Sequence, residues 1–274
     1  MKRILTAVIL IPLVVGLILW GPFWLLILAA WIIAELALHE YLSLAEASGS
    51  RPPRWLAVIY CAILFAVGYW VPAFLLPALG IGALVFLGIC SLRSPLEKVL
   101  SDAACGFFGL IYVAFPLVLA PLLTTLENGI AQLLFLLVVV WAGDVVALYV
   151  GSTLGRRSMA PVLSPQKTWE GAAGSMIGSI LAGLAIVGFG NHLYRHGFSL
   201  LLYTQPLWYW VGMVILLNVA AQIGDLLESA IKRGAKIKDS GSILPGHGGV
   251  LDRIDALLLA LPVLWYVLLF HQAY

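Results

Sequence analysis

GIAQLLFLLVVVWAGDVVALYVG, residues 129–151, carries a single formal charge, Asp144, in 23 residues. As an α-helix this stretch rises about 35 Å, enough to cross a bilayer's hydrocarbon core of about 30 Å. Working outward from it, eight further apolar runs of similar length appear: Ile4–Trp20, Phe23–Leu42, Trp55–Trp70, Ala73–Leu92, Ala103–Leu123, Gly171–Gly190, Leu207–Leu227 and Asp252–Phe270. The whole chain of 274 residues is 62% hydrophobic and 10% charged, with a mean hydropathy of +1.05. A soluble domain of that size has too little interior to hide so much apolar surface, so the solvent is lipid. The expected fold is all-α: a polytopic integral membrane helical bundle of about nine transmembrane helices.

Short connections and charge asymmetry support that count. Gly21-Pro22 and Val71-Pro72 leave room only for tight turns between antiparallel helices. The start, Met1-Lys2-Arg3 followed by Ile4–Trp20, resembles a signal sequence, but no small-residue cleavage site follows and a second run begins at once, so it reads as a retained first span. With the N-terminus cytoplasmic, Arg51, Arg54, Arg93, Lys98, Arg156, Arg157, Lys167 and Lys232 to Lys238 fall on the same side. Of 15 Lys and Arg residues only Arg195 falls on the other, as the positive-inside rule requires. Cys61, Cys90 and Cys105 lie in apolar runs without CxxC or Cys/His spacing and read as packing residues.

Polar chemistry concentrates in SAIKRGAKIKDSGSILPGHGGVLDRID, Ser229 to Asp255. Just upstream, Asp225, Glu228, Ser229 and Lys232 fall at i, i+3, i+4 and i+7 and share one helix face. A carboxylate at membrane depth is costly unless it meets a cation or lines a wet cavity, which marks Asp225 as functional; a structural Asp–Lys pair is the plainer alternative. Asp252 and Asp255 open the last span at i, i+3, where the helix dipole favours acids and capping explains one of them. Three convergent carboxylates without Cys or His partners suit Mg²⁺ better than zinc. Between them, four cations and five glycines offer a phosphate cradle, although a basic juxtamembrane run is also a common topology or headgroup signal. The loop GSTLGRRSMAPVLSPQKTWEG, residues 151–171, supplies a second polar set. Ser164-Pro165 reads there as a turn or helix start, and Lys167, Thr168 and Glu170 as caps of the next span beside an interfacial Trp169.

These residues resemble the signature of the phosphatidate cytidylyltransferase (CDP-diacylglycerol synthase) family: S-x-x-K-R, K-D, P-x-H-G-G and D-R-x-D in order, with GD-x-x-x-S at Gly224–Ser229 and SP-x-KTWEG at Ser164–Gly171 upstream. Gln166 stands where that family often has Lys, and Leu148 separates Ala147 from Tyr149 after Asp144. The match covers mostly the C-terminal half. The resemblance implies transfer of CMP from CTP to phosphatidic acid, giving CDP-diacylglycerol and pyrophosphate at the cytoplasmic face of a bacterial-type inner membrane. On that reading the chain is one integral membrane domain, with N-terminal spans in residues 1–102 and catalytic spans and cytoplasmic loops in 103–274. The family pattern assigns Mg²⁺ to Asp225, Asp252 and Asp255, with Asp144 as candidate for a second cation. Lys232, Arg233, Lys238 and Arg253 would neutralise substrate and pyrophosphate charge. His247, Gly248 and Gly249 would meet a phosphate, His247 having the alternative role of a base. Ser164, Lys167, Thr168 and Ser229 would touch CTP or the lipid headgroup.

Competing readings are a CTP-dependent lipid kinase, which shares the nucleotide end, and a secondary transporter, which usually shows inverted repeats; no second copy of the HGG or DRID region exists. The expected partners are CTP, phosphatidic acid and membrane lipid, with no nucleic acid. Gly171, Gly174 and Gly178 permit a close helix contact, either inside the chain or in a homodimer.

Overall fold

The computed structural model describes residues 2–198, 200–241 and 248–273. Helices occupy every expected apolar run: α1 (Lys2–Trp20), α2 (Phe23–Ala47), α3 (Arg54–Trp70), α4 (Leu75–Arg93), α5 (Val99–Gly109) continuing through a π-helical turn, Leu110–Ala114, into α6 (Phe115–Leu123), then α7 (Gly129–Leu154), α8 (Trp169–Arg195), α9 (Leu207–Gly234) and α10 (Leu251–Ala273). Among the described residues seven helices are long and apolar enough to cross a membrane, and Leu10–Trp20 and Arg54–Trp70 form shorter apolar helices. Leu84, Leu148 and Trp208 are at least 70% exposed, a pattern suited to lipid rather than water. The protein is a polytopic helical membrane protein.

One feature departs from expectation. Ser164-Pro165 begins a strand: β1 (Ser158–Ala160) and β2 (Ser164–Thr168) pair antiparallel, Ser158 opposite Thr168 and Ala160 opposite Ser164. A two-stranded ribbon has only edges, so the N–H that Pro165 lacks is not needed for pairing. Thr168 caps α8 as expected, its hydroxyl accepting from Gly171 N at 3.1 Å. Glu170 instead ties down the ribbon's entry, accepting from Arg156 N at 3.0 Å and Arg157 N at 3.2 Å.

The chain forms two compact units: Met1–Leu122 with Ile231–Ile254, and Leu123–Ala230 with Asp255–Tyr274. In the first, rings fill the space that glycines leave. The Tyr60 ring lies where a side chain on Gly82 would stand, and the Phe86 ring does the same at Gly106. The Tyr60 hydroxyl donates to the Ala78 carbonyl at 2.6 Å and that of Tyr41 to Cys105 at 3.1 Å, so each buried ring also satisfies its polar tip. In the second, Gly178 and Gly174 on α8 receive Val146 and Val150 of α7. The small-residue face of α8 is thus used within the chain. Beside it runs a polar seam. Asn218 Nδ2 donates to the Ser175 and Ser179 hydroxyls, both at 2.9 Å; Ser179 donates to the Val139 carbonyl at 2.7 Å, and Gln222 Nε2 to Asn218 Oδ1 at 2.6 Å. With no water in the hydrocarbon, buried polar groups must find partners of this kind in the protein.

Candidate functional site

In the second unit three acids converge. Asp225 and Glu228 stand one turn apart on α9, and Asp255 lies near the start of α10; one carboxylate oxygen from each lies within 4.8 Å of the other two. The approach is close because α9 presents Gly224 to α10: a Cβ there would sit 2.7 Å from the Asp255 carbonyl oxygen. Glu228 is fully buried, at 0% exposure. Asp255 Oδ1 accepts from its neighbour Ala256 N at 2.8 Å, and Lys167, at the end of β2, places its Nζ 2.7 Å from Asp225 Oδ1. Asp144, exposed on α7, adds its charge to the field at Asp255.

Two ionised carboxylates no more than 4.8 Å apart repel by about 3 kcal/mol or more at an effective dielectric of about 20. Lys167 balances one of the three acids. The cluster's donors are all hard oxygens. Ligands on opposite sides of one Mg²⁺ lie about 4.2 Å apart and adjacent ones about 3 Å, so donors spread over up to 4.8 Å would close by as much as about 2 Å around it. The cluster fits Mg²⁺ or Ca²⁺ and does not fit a metal that prefers sulfur or imidazole.

The first unit holds the glycine-rich loop. Asp252 accepts from Lys232 Nζ at 2.7 Å, from Ser240 N at 3.0 Å and from Gly249 N at 2.8 Å. The Lys232 and Asp252 side chains are only 13% and 8% exposed. Beneath them Glu40 of α2, 3% exposed, accepts from Val250 N at 3.0 Å, Leu251 N at 2.8 Å and the Ser240 hydroxyl at 2.9 Å. It thereby supplies the first turn of α10 with acceptors that the helix itself cannot provide. The glycines follow from this. A Cβ on Gly241 would strike the Glu40 carboxylate, and one on Gly249 would strike both Glu40 and Ser240. Gly248 adopts a left-handed φ of 81°. The anions these glycines let the backbone approach are the protein's own carboxylates.

Of the residues singled out from sequence, Asp225 and Asp255 come together, with Lys167 on Asp225. Asp252 belongs to the first unit, where Lys232 and two backbone N–H groups occupy its oxygens. Ser229 is buried beside Glu228, Thr168 is a helix cap and Ser164 begins β2. Lys238 and Arg253 are exposed, as is Arg233, whose Nη1 donates to the Ile237 carbonyl at 3.4 Å. His247 lies outside the described residues. Sequence reasoning placed Glu228 on the right face without making it a ligand, and passed over Glu40. The available signal for Glu40 was a lone acid inside an apolar run, LALHEYLSL, residues 36–44.

Sequence comparison relates nearly the whole chain to known proteins. A sequence model of the Cytidylyltransferase family matches residues 1–271. A protein of Staphylococcus epidermidis (strain ATCC 35984) bearing the name phosphatidate cytidylyltransferase is 33% identical over 269 residues, covering 96% of each chain. Proteins of the same name from Staphylococcus saprophyticus (strain ATCC 15305) and Staphylococcus aureus (strain COL) are 32% identical over 265 residues and 31% over 269, again with 96% of each chain covered. The match runs through the N-terminal spans as well as the motif-bearing half, and the chain belongs to the cytidylyltransferase family.

Proposed function

We propose that the protein transfers the cytidylyl group of CTP to phosphatidate at the cytoplasmic membrane face, in a Mg²⁺-dependent reaction. The observation that carries this is the convergence of Asp225, Glu228 and Asp255 within 4.8 Å, in a chain whose similar relatives bear the name of that activity. A phosphate oxygen of phosphatidate forms a bond to the α-phosphorus of CTP. The bond from that phosphorus to the oxygen bridging to the β-phosphorus breaks, and pyrophosphate leaves with the electron pair. The nucleophile is already an anion, so no side chain need remove a proton; placement and charge compensation are the protein's task.

Asp225, Glu228 and Asp255 would hold Mg²⁺, which when bound offsets phosphate charge and polarises phosphoryl oxygens. Lys167, bound to Asp225, sets the charge balance on one side of the cluster. Asp144 is our candidate for a second cation. Asp252 we assign to positioning: with Glu40 it fixes the loop that carries Lys238, Gly248 and Gly249, while Arg233 and Arg253 remain exposed for phosphate contact. A diacyl lipid leaves a bilayer only at about 0.8 kcal/mol per exposed CH₂, so a reaction joining it to a nucleotide belongs on a membrane-embedded acidic site of this kind.

Purified protein in detergent, given Mg²⁺, phosphatidate and CTP labelled at the α-phosphorus, should place label in a lipid product and release pyrophosphate. Label reaching lipid only from γ-labelled CTP would establish a kinase instead. No incorporation across several phosphatidates would end the reading.

A further inference from the structure

A second polar site lies in the first unit, at the level where two apolar helices end. α3 opens with Arg54 and α4 closes with Arg93. Between these ends is a cavity of about 650 Å³ whose lining includes Arg51, Arg54, Arg93, Lys98, Trp55 and Asp102. The cavity brings four cations against one lining carboxylate. Asp102 is 1% exposed and its oxygens accept from Arg51 N at 2.7 Å and the Ser94 hydroxyl at 2.7 Å, so its single charge leaves the four cations in excess. Two of the cations have protein partners: Arg54 forks onto Glu46 at 2.6 and 2.7 Å, and Lys98 donates to the Gly49 carbonyl at 2.7 Å. Among the described residues neither the Arg51 nor the Arg93 guanidinium has a hydrogen-bond acceptor, and Arg93 rests over the Trp55 ring at 5.9 Å.

Two exposed guanidinium groups beside a polar cavity recognise a phosphate, since a guanidinium fork matches two phosphate oxygens. What surrounds them identifies the kind of phosphate. Pro52, Pro53, Ile89 and Pro95 line the same cavity beside Trp55, and Trp55 is a residue type that collects at headgroup depth. A soluble anion gains nothing from such an apolar rim, whereas a phospholipid places acyl chains on it and its phosphate among the arginines.

We propose that this cavity is a binding site for the headgroup phosphate of an anionic phospholipid, held chiefly by Arg51 and Arg93. The site is built from residues of the first unit alone, so it stands or falls independently of the reaction assigned to the carboxylate cluster. Native mass spectrometry of the full-length protein, from nanodiscs containing equal phosphatidylglycerol and phosphatidylethanolamine, tests it directly. The wild type should retain phosphatidylglycerol preferentially. The R51Q/R93Q variant should bind it about 30-fold more weakly, at about fivefold per lost arginine, and R51K/R93K should recover part of the loss. Both positions are exposed, and an unchanged thermal unfolding temperature would confirm that the fold survives. Equal retention of the two lipids, equal retention by wild type and R51Q/R93Q, or displacement of the lipid by millimolar inorganic phosphate would each overturn the proposal.

Discussion

At Glu228 the demands of folding and of chemistry oppose each other. Its carboxylate is fully buried against two others, so removing its charge relieves like-charge repulsion while removing a cation ligand. Glu228→Gln should therefore lower turnover by at least about a hundredfold, the effect of deleting one preorganised electrostatic contact. In chelator it should leave the thermal unfolding temperature unchanged or raised. Label incorporation and unfolding in detergent measure the two sides separately, and a variant that is both less stable and fully active would refute this role. Lys167→Met is expected to act in the opposite sense on stability, leaving Asp225 without the ammonium group 2.7 Å away, while also lowering turnover. Asp225 and Asp255 were legible in the sequence because an acid in an apolar run is conspicuous. Glu228 was less so because a third acid near the water can be read as ordinary helix surface. Only the close passage of α10 at Gly224 shows it to be interior.

The element that sequence reasoning could not supply is the support under the glycine-rich loop. From the chain alone these glycines suggested a backbone close to a phosphate, and the distance of 200 residues between Glu40 and Ser240 left no local signal for any other partner. Glu40→Ala removes the acceptor for Val250 N, Leu251 N and the Ser240 hydroxyl together. It is expected to destabilise the fold by about 3 kcal/mol or more, with a loss of turnover; Glu40→Gln should retain part of both. Thermal unfolding beside activity reads the result, and wild-type behaviour in Glu40→Ala would dismiss the supporting role. The small-residue face of α8 is a second case. The spacing of Gly174 and Gly178 announced a close contact, but whether the partner was the same chain or another depended on the fold. With Val146 and Val150 seated there, Gly178→Val should cost about 1–3 kcal/mol by overpacking, seen as a lower unfolding temperature independent of protein concentration.

For the molecule as a whole, apolar length located every helix, since lipid tolerates few alternatives for the backbone, although polar ends carry α2, α8 and α9 about five to seven residues beyond the apolar runs. The ribbon at 158–168 escaped notice because its pairing involves few residues and no alternating apolar pattern. Charge placement makes a further prediction about orientation: with 14 of the 15 Lys and Arg residues expected on one side, single cysteines at Glu97 and Lys236 should react with an impermeant maleimide only after the inner membrane is opened. A cysteine at Arg195 should react in intact spheroplasts; the reverse pattern would invert the proposed topology. The seam of Asn218, Gln222, Ser175 and Ser179 also bears on biogenesis. α9 carries amides and acids that an isolated helix would have to bury in hydrocarbon, whereas α7 and α8 leave the ribosome earlier and α8 already displays complementary hydroxyls. The last polar helix of the three therefore enters a prepared berth, and its insertion should falter when Ser175 and Ser179 are both replaced by alanine.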